Sequence, residues 1–246
     1  MDMGLGDAYT AVVIGASGGI GGAFARALAA DPACTAVHAL ARRGAVPEAP
    51  AIRPGRIDVE DEASIAAAAE TVATAGDPPR LVIVATGFLH DAGQRPEKSW
   101  RDLEPEALAR AFRVNATGPA LVAKHFLPLV PRKERAVFAA LSARVGSVAD
   151  NRIGGWHGYR ASKAALNQIL RCLAIEAGRT RPEWVVAGLQ PGTVATPLSA
   201  PFRSGLDADD LFAPDDAAAR LLGVLAGLGP EQSGRLFDWS GAEFPP

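Results

Sequence analysis

Short apolar runs alternate along this chain with segments whose apolar positions recur at helical spacing. Residues 10–14 (TAVVI) are continuous in hydrophobicity, and a glycine-rich turn follows them. In the next stretch, GGAFARALAA, Phe24, Ala25 and Leu28 fall on one helical face, so the opening reads strand, turn, helix. The alternation continues with strand AVHAL (36–40), a short strand IRPGRI, an alanine-rich helix over 62–75, strand LVIVA (81–85) and a long helical stretch from Pro105 to Leu129. Strand AVFAAL (136–141), helix 160–177, strand WVVAGL (184–189), helix 215–227 and strand RLFDW (235–239) follow. Strands that are apolar throughout need cover on both faces, and right-handed crossovers put helices there. The pattern predicts an α/β fold, a doubly wound parallel sheet of about seven strands with helices on both faces.

The rhythm never pauses long enough to mark a domain boundary, so residues 1–246 are expected to form one domain. Its longest irregular piece, residues 191–214, follows the carboxyl end of a strand, where such sheets bind ligands. Within it Pro197, Pro201, Gly205 and the cluster Asp207, Asp209, Asp210 interrupt any apolar face. The expectation is a segment, 196–212, that is mobile without ligand and closes over substrate, with Leu198 and Phe202 as its apolar lining.

Charge adds an exclusion. Lysine and arginine total 25 against 27 acidic residues, and basic residues cluster no further than pairs such as Arg42-Arg43, which leaves no footprint for nucleic acid. Cys34 and Cys172 lie in apolar segments without a metal-binding pattern and are expected to be buried, reduced thiols. No basic apolar leader opens the chain, and no apolar stretch reaches the roughly 18 residues of a membrane span. A cytoplasmic protein without a membrane partner is the expectation.

The first turn, Gly15-Ala16-Ser17-Gly18-Gly19-Ile20-Gly21, lies where a dinucleotide pyrophosphate would meet a helix amino terminus. Glycine lets the backbone approach the phosphates; a plain tight turn is the other reading of such a cluster. At the end of the second strand, Ala41-Arg42-Arg43 offers no carboxylate to hold a ribose hydroxyl. Arg42 can instead pair with a 2′-phosphate, which favours NADP over NAD, whereas Arg43 reads nearly as well as a solvated side chain.

Further along, Tyr159 and Lys163 are four apart at the start of a helix and so share a face. A protonated lysine there would lower the phenol from its ordinary value of about 10 toward the working range of a general acid. Ser142 ends strand 136–141 on the carboxyl rim of the sheet. Asn115, followed by Gly118 and Pro119, interrupts the long helical stretch and predicts a kink or bulge.

The spacing of Gly15, Gly19 and Gly21, with the Asn115, Ser142, Tyr159 and Lys163 set in order behind it, resembles the short-chain dehydrogenase/reductase family from about residue 10 to 240. The resemblance implies a Rossmann fold and hydride transfer between a nicotinamide cofactor and a small-molecule carbonyl or alcohol substrate. Gly15, Ser17, Gly18, Gly19, Ile20 and Gly21 would then hold the pyrophosphate and Arg42 the 2′-phosphate. Asp58 occupies the position that holds the adenine, with helix capping as its other reading, a task open also to Asp61 and Ser64. Gly87 passes the ribose. By the same likeness Ser142 bonds the substrate oxygen, Tyr159 moves the proton, Lys163 holds the ribose and tunes Tyr159, and Asn115 supports a water relay. Pro191-Gly192-Thr193-Val194-Ala195-Thr196 resembles the turn that clasps the nicotinamide carboxamide, through the Val194 backbone and the Thr196 hydroxyl.

The chain also departs from the family. Ile14 replaces the usual threonine, and Val84-Ala85-Thr86-Gly87 lacks both usual asparagines. Tyr159 follows Ser142 at an interval of 17 residues, about one helical turn more than usual, so an insertion within 144–157 borders the substrate. Trp156 lines the pocket or packs on the surface; His157 reads as a loop residue. Leu89-His90, Pro96-Glu97-Lys98-Ser99 and the stretch around Gly155-Trp156 resemble the subgroup of C-factor and sniffer-like carbonyl reductases. That subgroup brings a second reading, a nucleotide-binding signalling or interaction protein with little turnover. Family analogy implies a homodimer or homotetramer.

Overall fold

In the computed structural model, all residues are described except Met1, Gly44, Leu206, Ala208 and Asp209. Seven strands form one parallel sheet: β1 (Tyr9–Ile14), β2 (Cys34–Ala41), β3 (Ile52–Arg56), β4 (Pro79–Val84), β5 (Ala136–Leu141), β6 (Trp184–Gln190) and β9 (Arg235–Asp238), in the order β3-β2-β1-β4-β5-β6-β9. Two short strands, β7 (Thr193–Val194) and β8 (Leu211–Phe212), pair in parallel apart from it. Six α-helices, α1 (Gly19–Ala29), α2 (Glu62–Thr74), α3 (Pro105–Phe112), α4 (Gly118–Phe126), α5 (His157–Gly178) and α6 (Pro214–Gly227), flank the sheet.

Alternation of side chains along each strand divides the core in two. On β1, Ala11 and Val13 pack with Phe24 and Leu28 of α1 and Leu221 and Leu225 of α6. Val12 and Ile14 face the other way, against Ile65 of α2, Phe126 of α4 and Leu166 and Leu170 of α5. The chain order reverses between β1 and its neighbours β2 and β4, the switch point where such sheets open a crevice above their carboxyl ends.

The elements agree with the sequence pattern and differ in instructive places. The long helical stretch is broken as Asn115 predicts: α3 passes into a π-helical turn, Arg113–Thr117, before α4 begins. Helix α5 starts at His157, three residues before the expected 160, because two left-handed glycines, Gly154 and Gly155, and a left-handed Trp156 turn the chain into it. Cys34 is buried, but Cys172 is exposed, which corrects the expectation for that thiol. Leu166, Leu170, Ala174 and Ala177 define the inward stripe of α5, and Cys172 lies off it. The 191–214 segment is not featureless: it contains β7, a 3-10 turn Ala200–Phe202 and β8. Asp209 of its acidic cluster lies outside the described residues. Among those residues no helix is long and apolar enough to cross a membrane, and no cluster of metal-ligating side chains occurs.

Candidate active site

The carboxyl ends of β1, β4, β5 and β6 deliver Gly15, Ala85 to Gly87, Ser142 and Pro191 to one rim. Gly15 is left-handed, with φ +89°, and its N–H and that of Ala16 donate to Leu40 O at 2.8 and 3.1 Å, tying the turn to β2. A Cβ on Gly21 would lie 2.2 Å from Gly15 O, so no larger residue fits that crossing of turn and helix. A Cβ on Gly19 would meet Thr196 at 2.8 Å, which shows how closely the 191–196 turn approaches the first. Helix α1 begins with no side-chain cap on Gly18 and no acidic residue in its first turn. Its first N–H groups and the positive end of its dipole therefore suit an anion.

Two cavities meet above this turn, sharing Gly18, Ala85, Thr86 and Gly87. One, of about 310 Å³, is bordered by Ser17, Arg42, Arg43 and Asp58. The other, of about 290 Å³, is bordered by Gly19, Ile20, Gly21, Pro191 and Thr196 on one side and by Ser142, Tyr159 and Lys163 on the other. Thr86 borders both, and its hydroxyl is buried with no hydrogen-bond partner among the described residues. An elongated molecule carrying an anion over α1 and a hydrogen-bonding group at Thr86 fits this double cavity.

Arg42 pairs with Glu60 at 3.1 Å, and Glu60 also approaches Arg113 at 3.7 Å. Capping of α2 falls to Asp61, whose carboxylate accepts from Ala63 N. Asp58 accepts from Glu60 N instead and stays on the cavity wall, so the capping alternative for Asp58 is removed. Gly192 and Val194 do not border the cavity. Gly192 (φ +77°) packs against Phe212 and Trp239, and the Val194 carbonyl accepts from Thr196 N and Ser199 Oγ.

Asn115, in the π-helical turn, is fully buried. Its Oδ1 accepts from Phe88 N at 2.8 Å, and its Nδ2 donates to Phe88 O at 2.8 Å and Ser162 Oγ at 3.0 Å. The side chain thus stands behind the cavity and fastens the segment after β4 to α5. Ser142 is held at its amide by Leu189 O, and its Oγ donates to Asn167 Oδ1 at 2.6 Å. Lys163, also buried, donates from Nζ to Leu141 O at 2.7 Å, with Nζ 5.8 Å from the centre of the Tyr159 ring.

Burial governs both titrating groups. It pushes the Tyr159 phenol up to about 12 and draws the Lys163 ammonium down to about 8. The expectation that Lys163 lowers the Tyr159 phenol is therefore not met, since the ammonium is turned to the Leu141 carbonyl and desolvation outweighs it.

Trp156 does not border the cavity and packs instead in an aromatic cluster beside it. Its ring lies edge-on to Tyr159 (6.3 Å between centroids) and to Phe202 (4.9 Å), and Phe202 meets His90 at 5.4 Å. His90 Nε2 also lies 3.0 Å from Leu198 O, fastening the 196–203 segment. His157 only opens α5.

Two residues here escaped the sequence reading. Asn167 continues the Tyr159, Lys163 stripe by four positions, which was its signal. Glu97 is buried, and its Oε2 accepts from Gly158 N at 3.2 Å while its carbonyl accepts from Trp156 N, so it caps α5 from a distant segment. Nothing but its place in Pro96-Glu97-Lys98-Ser99 marked it.

A doubly wound sheet with a glycine turn at its switch point and a serine, tyrosine and lysine on the rim defines a dinucleotide-type α/β protein. The sequence pattern described as short chain dehydrogenase matches residues 9–207, and the chain belongs to that family. It is 37% identical over 145 residues to C-signal of Myxococcus xanthus, covering 58% of this chain and 81% of that protein. It is 31% identical to 1-hydroxy-2-glutathionyl-2-methyl-3-butene dehydrogenase of Rhodococcus sp. (strain AD45), over 75% of each chain. The fold matches the NADPH-bound carbonyl reductase from chicken fatty liver (TM-score 0.82, 24% identity, 97% of this chain and 99% of the other). It also matches carbonyl reductase Sniffer of D. melanogaster (TM-score 0.82, 17% identity, 97% of this chain and 100% of the other).

Proposed function

We propose that this chain is an NADP(H)-dependent oxidoreductase acting on a carbonyl or alcohol substrate, with Tyr159 as its general acid and base. The observation that carries this reading is the convergence of Ser142, Tyr159 and Lys163 on a cavity continuous with the glycine turn. The nicotinamide cofactor, when bound, supplies or accepts the hydride. Gly15 to Gly21 and the α1 amino terminus hold its pyrophosphate, and Pro191, Gly192, Val194 and Thr196 form the turn at its nicotinamide end. Arg42, at a strand end without a carboxylate, receives the 2′-phosphate and Asp58 the adenine. NADPH is therefore expected to bind more tightly than NADH; equal affinities would overturn this cofactor assignment.

A carbonyl oxygen that gains negative charge as carbon is reduced needs a proton donor within reach. A phenol near 12 keeps its proton at neutral pH, which suits Tyr159 to that task. Ser142 donates a hydrogen bond to the same oxygen. Lys163, titrating near 8, exchanges protons readily at working pH and holds one behind the phenol. Asn115 keeps the Phe88 segment and α5 in register around them. The unbroken alternation of strands and helices supports a single domain over 1–246 in a cytoplasmic protein, and family analogy a homodimer or homotetramer.

Similarity to C-signal favours a second reading, a nucleotide-binding signalling protein with little turnover. Tyr159→Phe separates the two. On the enzyme reading it keeps NADPH affinity and loses about 10² to 10⁴ in turnover on the best member of a panel of aldehydes, ketones and quinones. A wild type that binds NADPH and reduces none of the panel would favour the signalling reading.

A further inference from the structure

The Ser142 hydroxyl has one proton, and in this structure that proton is given to Asn167 Oδ1 at 2.6 Å. In that arrangement Ser142 can only accept a hydrogen bond from the cavity, whereas a carbonyl oxygen requires it to donate. Both side chains are buried, at 3% exposure each, so water does not loosen the pair. The Asn167 amide nitrogen meanwhile has no hydrogen-bond partner among the described residues. A buried donor without a partner beside a hydroxyl pointing away from its task marks an arrangement with a second state.

We propose that Asn167 is the positioning residue of Ser142: rotation of its amide places Nδ2 against Ser142 Oγ, and the serine proton is thereby turned toward the substrate oxygen. The carboxamide has nearly the same shape after the half-turn, so neighbouring atoms need not move. The rotated state gives the amide nitrogen a partner and leaves Ser142 one acceptance from Asn167 and one donation into the cavity. The neighbouring groups do not compete: Lys163 Nζ is turned to Leu141 O, and the Ser142 amide to Leu189 O. Tyr159, Lys163 and Asn167, at intervals of four on α5, then form one row that gives the proton, backs the proton donor and aims the serine.

The inference rests on the oxidoreductase reading, and its test separates the two. Reduction of 4-nitrobenzaldehyde, or of the fastest member of the carbonyl panel, by NADPH is compared in wild type, Ser142→Ala, Asn167→Leu, Asn167→Asp and the Ser142→Ala/Asn167→Leu double variant. Asn167→Leu is expected to lower kcat at least about tenfold, with KM for the aldehyde and the NADPH dissociation constant within about twofold, and the double variant to be no slower than Ser142→Ala alone. Asn167→Asp keeps shape and acceptor but, ionised, offers no donor; it is expected to lose as much as Asn167→Leu. Full activity in either Asn167 variant, or losses that multiply in the double variant, overturns the positioning role while leaving the oxidoreductase reading intact. A wild type that reduces nothing on the panel overturns both.

Discussion

Lys163 carries the sharpest conflict between stability and chemistry. Its ammonium is buried, and desolvation lowers it from the ordinary 10.5 to about 8. Below pH 8 folded and unfolded chains both hold the proton, and the full cost of burying the charge is present. Between 8 and 10.5 the unfolded chain still holds a proton that the folded chain has released, so stability rises with pH across that window. Lys163→Met should remove the rise. Near pH 7 it should stabilise the fold by up to about 3 kcal/mol, less about 1 kcal/mol for the lost Leu141 hydrogen bond, while abolishing turnover. Urea unfolding of both proteins at pH 7 and pH 9.5 measures this; parallel curves with no difference in slope against pH would show that Lys163 is not the titrating group.

Among the elements, α5 brings most of the site together, and its start depends on Glu97. The buried carboxylate accepts from Gly158 N, one residue before Tyr159, at the positive end of a 22-residue helix. Glu97→Ala leaves that amide without its acceptor and should cost about 1 to 3 kcal/mol, with a fall in turnover as Tyr159 loses its fixed position. Glu97→Gln, which keeps an acceptor, should cost less; equal losses would place the effect in charge and not in the hydrogen bond. This contact also marks the limit of what sequence can convey. The strands were legible because both faces are apolar, and the row Tyr159, Lys163 because helical spacing is fixed. Glu97 and Asn167 were not, since a polar residue reads the same whether it faces solvent or a buried amide. Cys172 was misjudged for a related reason: an apolar neighbourhood gives no phase, and the inward stripe of α5 passes it by. The direction of the Lys163 side chain depends on where β5 sets the Leu141 carbonyl, which the distance from Lys163 to Tyr159 along the chain does not encode.

For the molecule as a whole, the cavity has a wall that belongs to the loop layer. Phe202 meets Trp156 and His90, Leu198 O lies against His90, and Arg203 turns back to Ser199 Oγ and Thr196 O. The 196–203 segment is thus held by a few local contacts, whereas the sheet below is packed on both faces. Amide exchange in this segment should slow on addition of NADPH with a bound carbonyl, while β1 and β4 change little; equal exchange with and without both would rule out closure. Substrate preference then belongs to residues that the sheet does not constrain, which is why fold and site chemistry were legible and the substrate was not.

The two borders of the sheet have a consequence for solubility. Strand β3 forms one border and reads Ile52-Arg53-Pro54-Gly55-Arg56; beyond the other, β9, the chain folds back so that Glu243 bridges Phe237. A proline that cannot donate and two cations make the first border a poor template, and residues 242–244 shield the second. Both borders therefore disfavour strand-to-strand pairing, which discourages aggregation by lengthening of the sheet from one copy to the next.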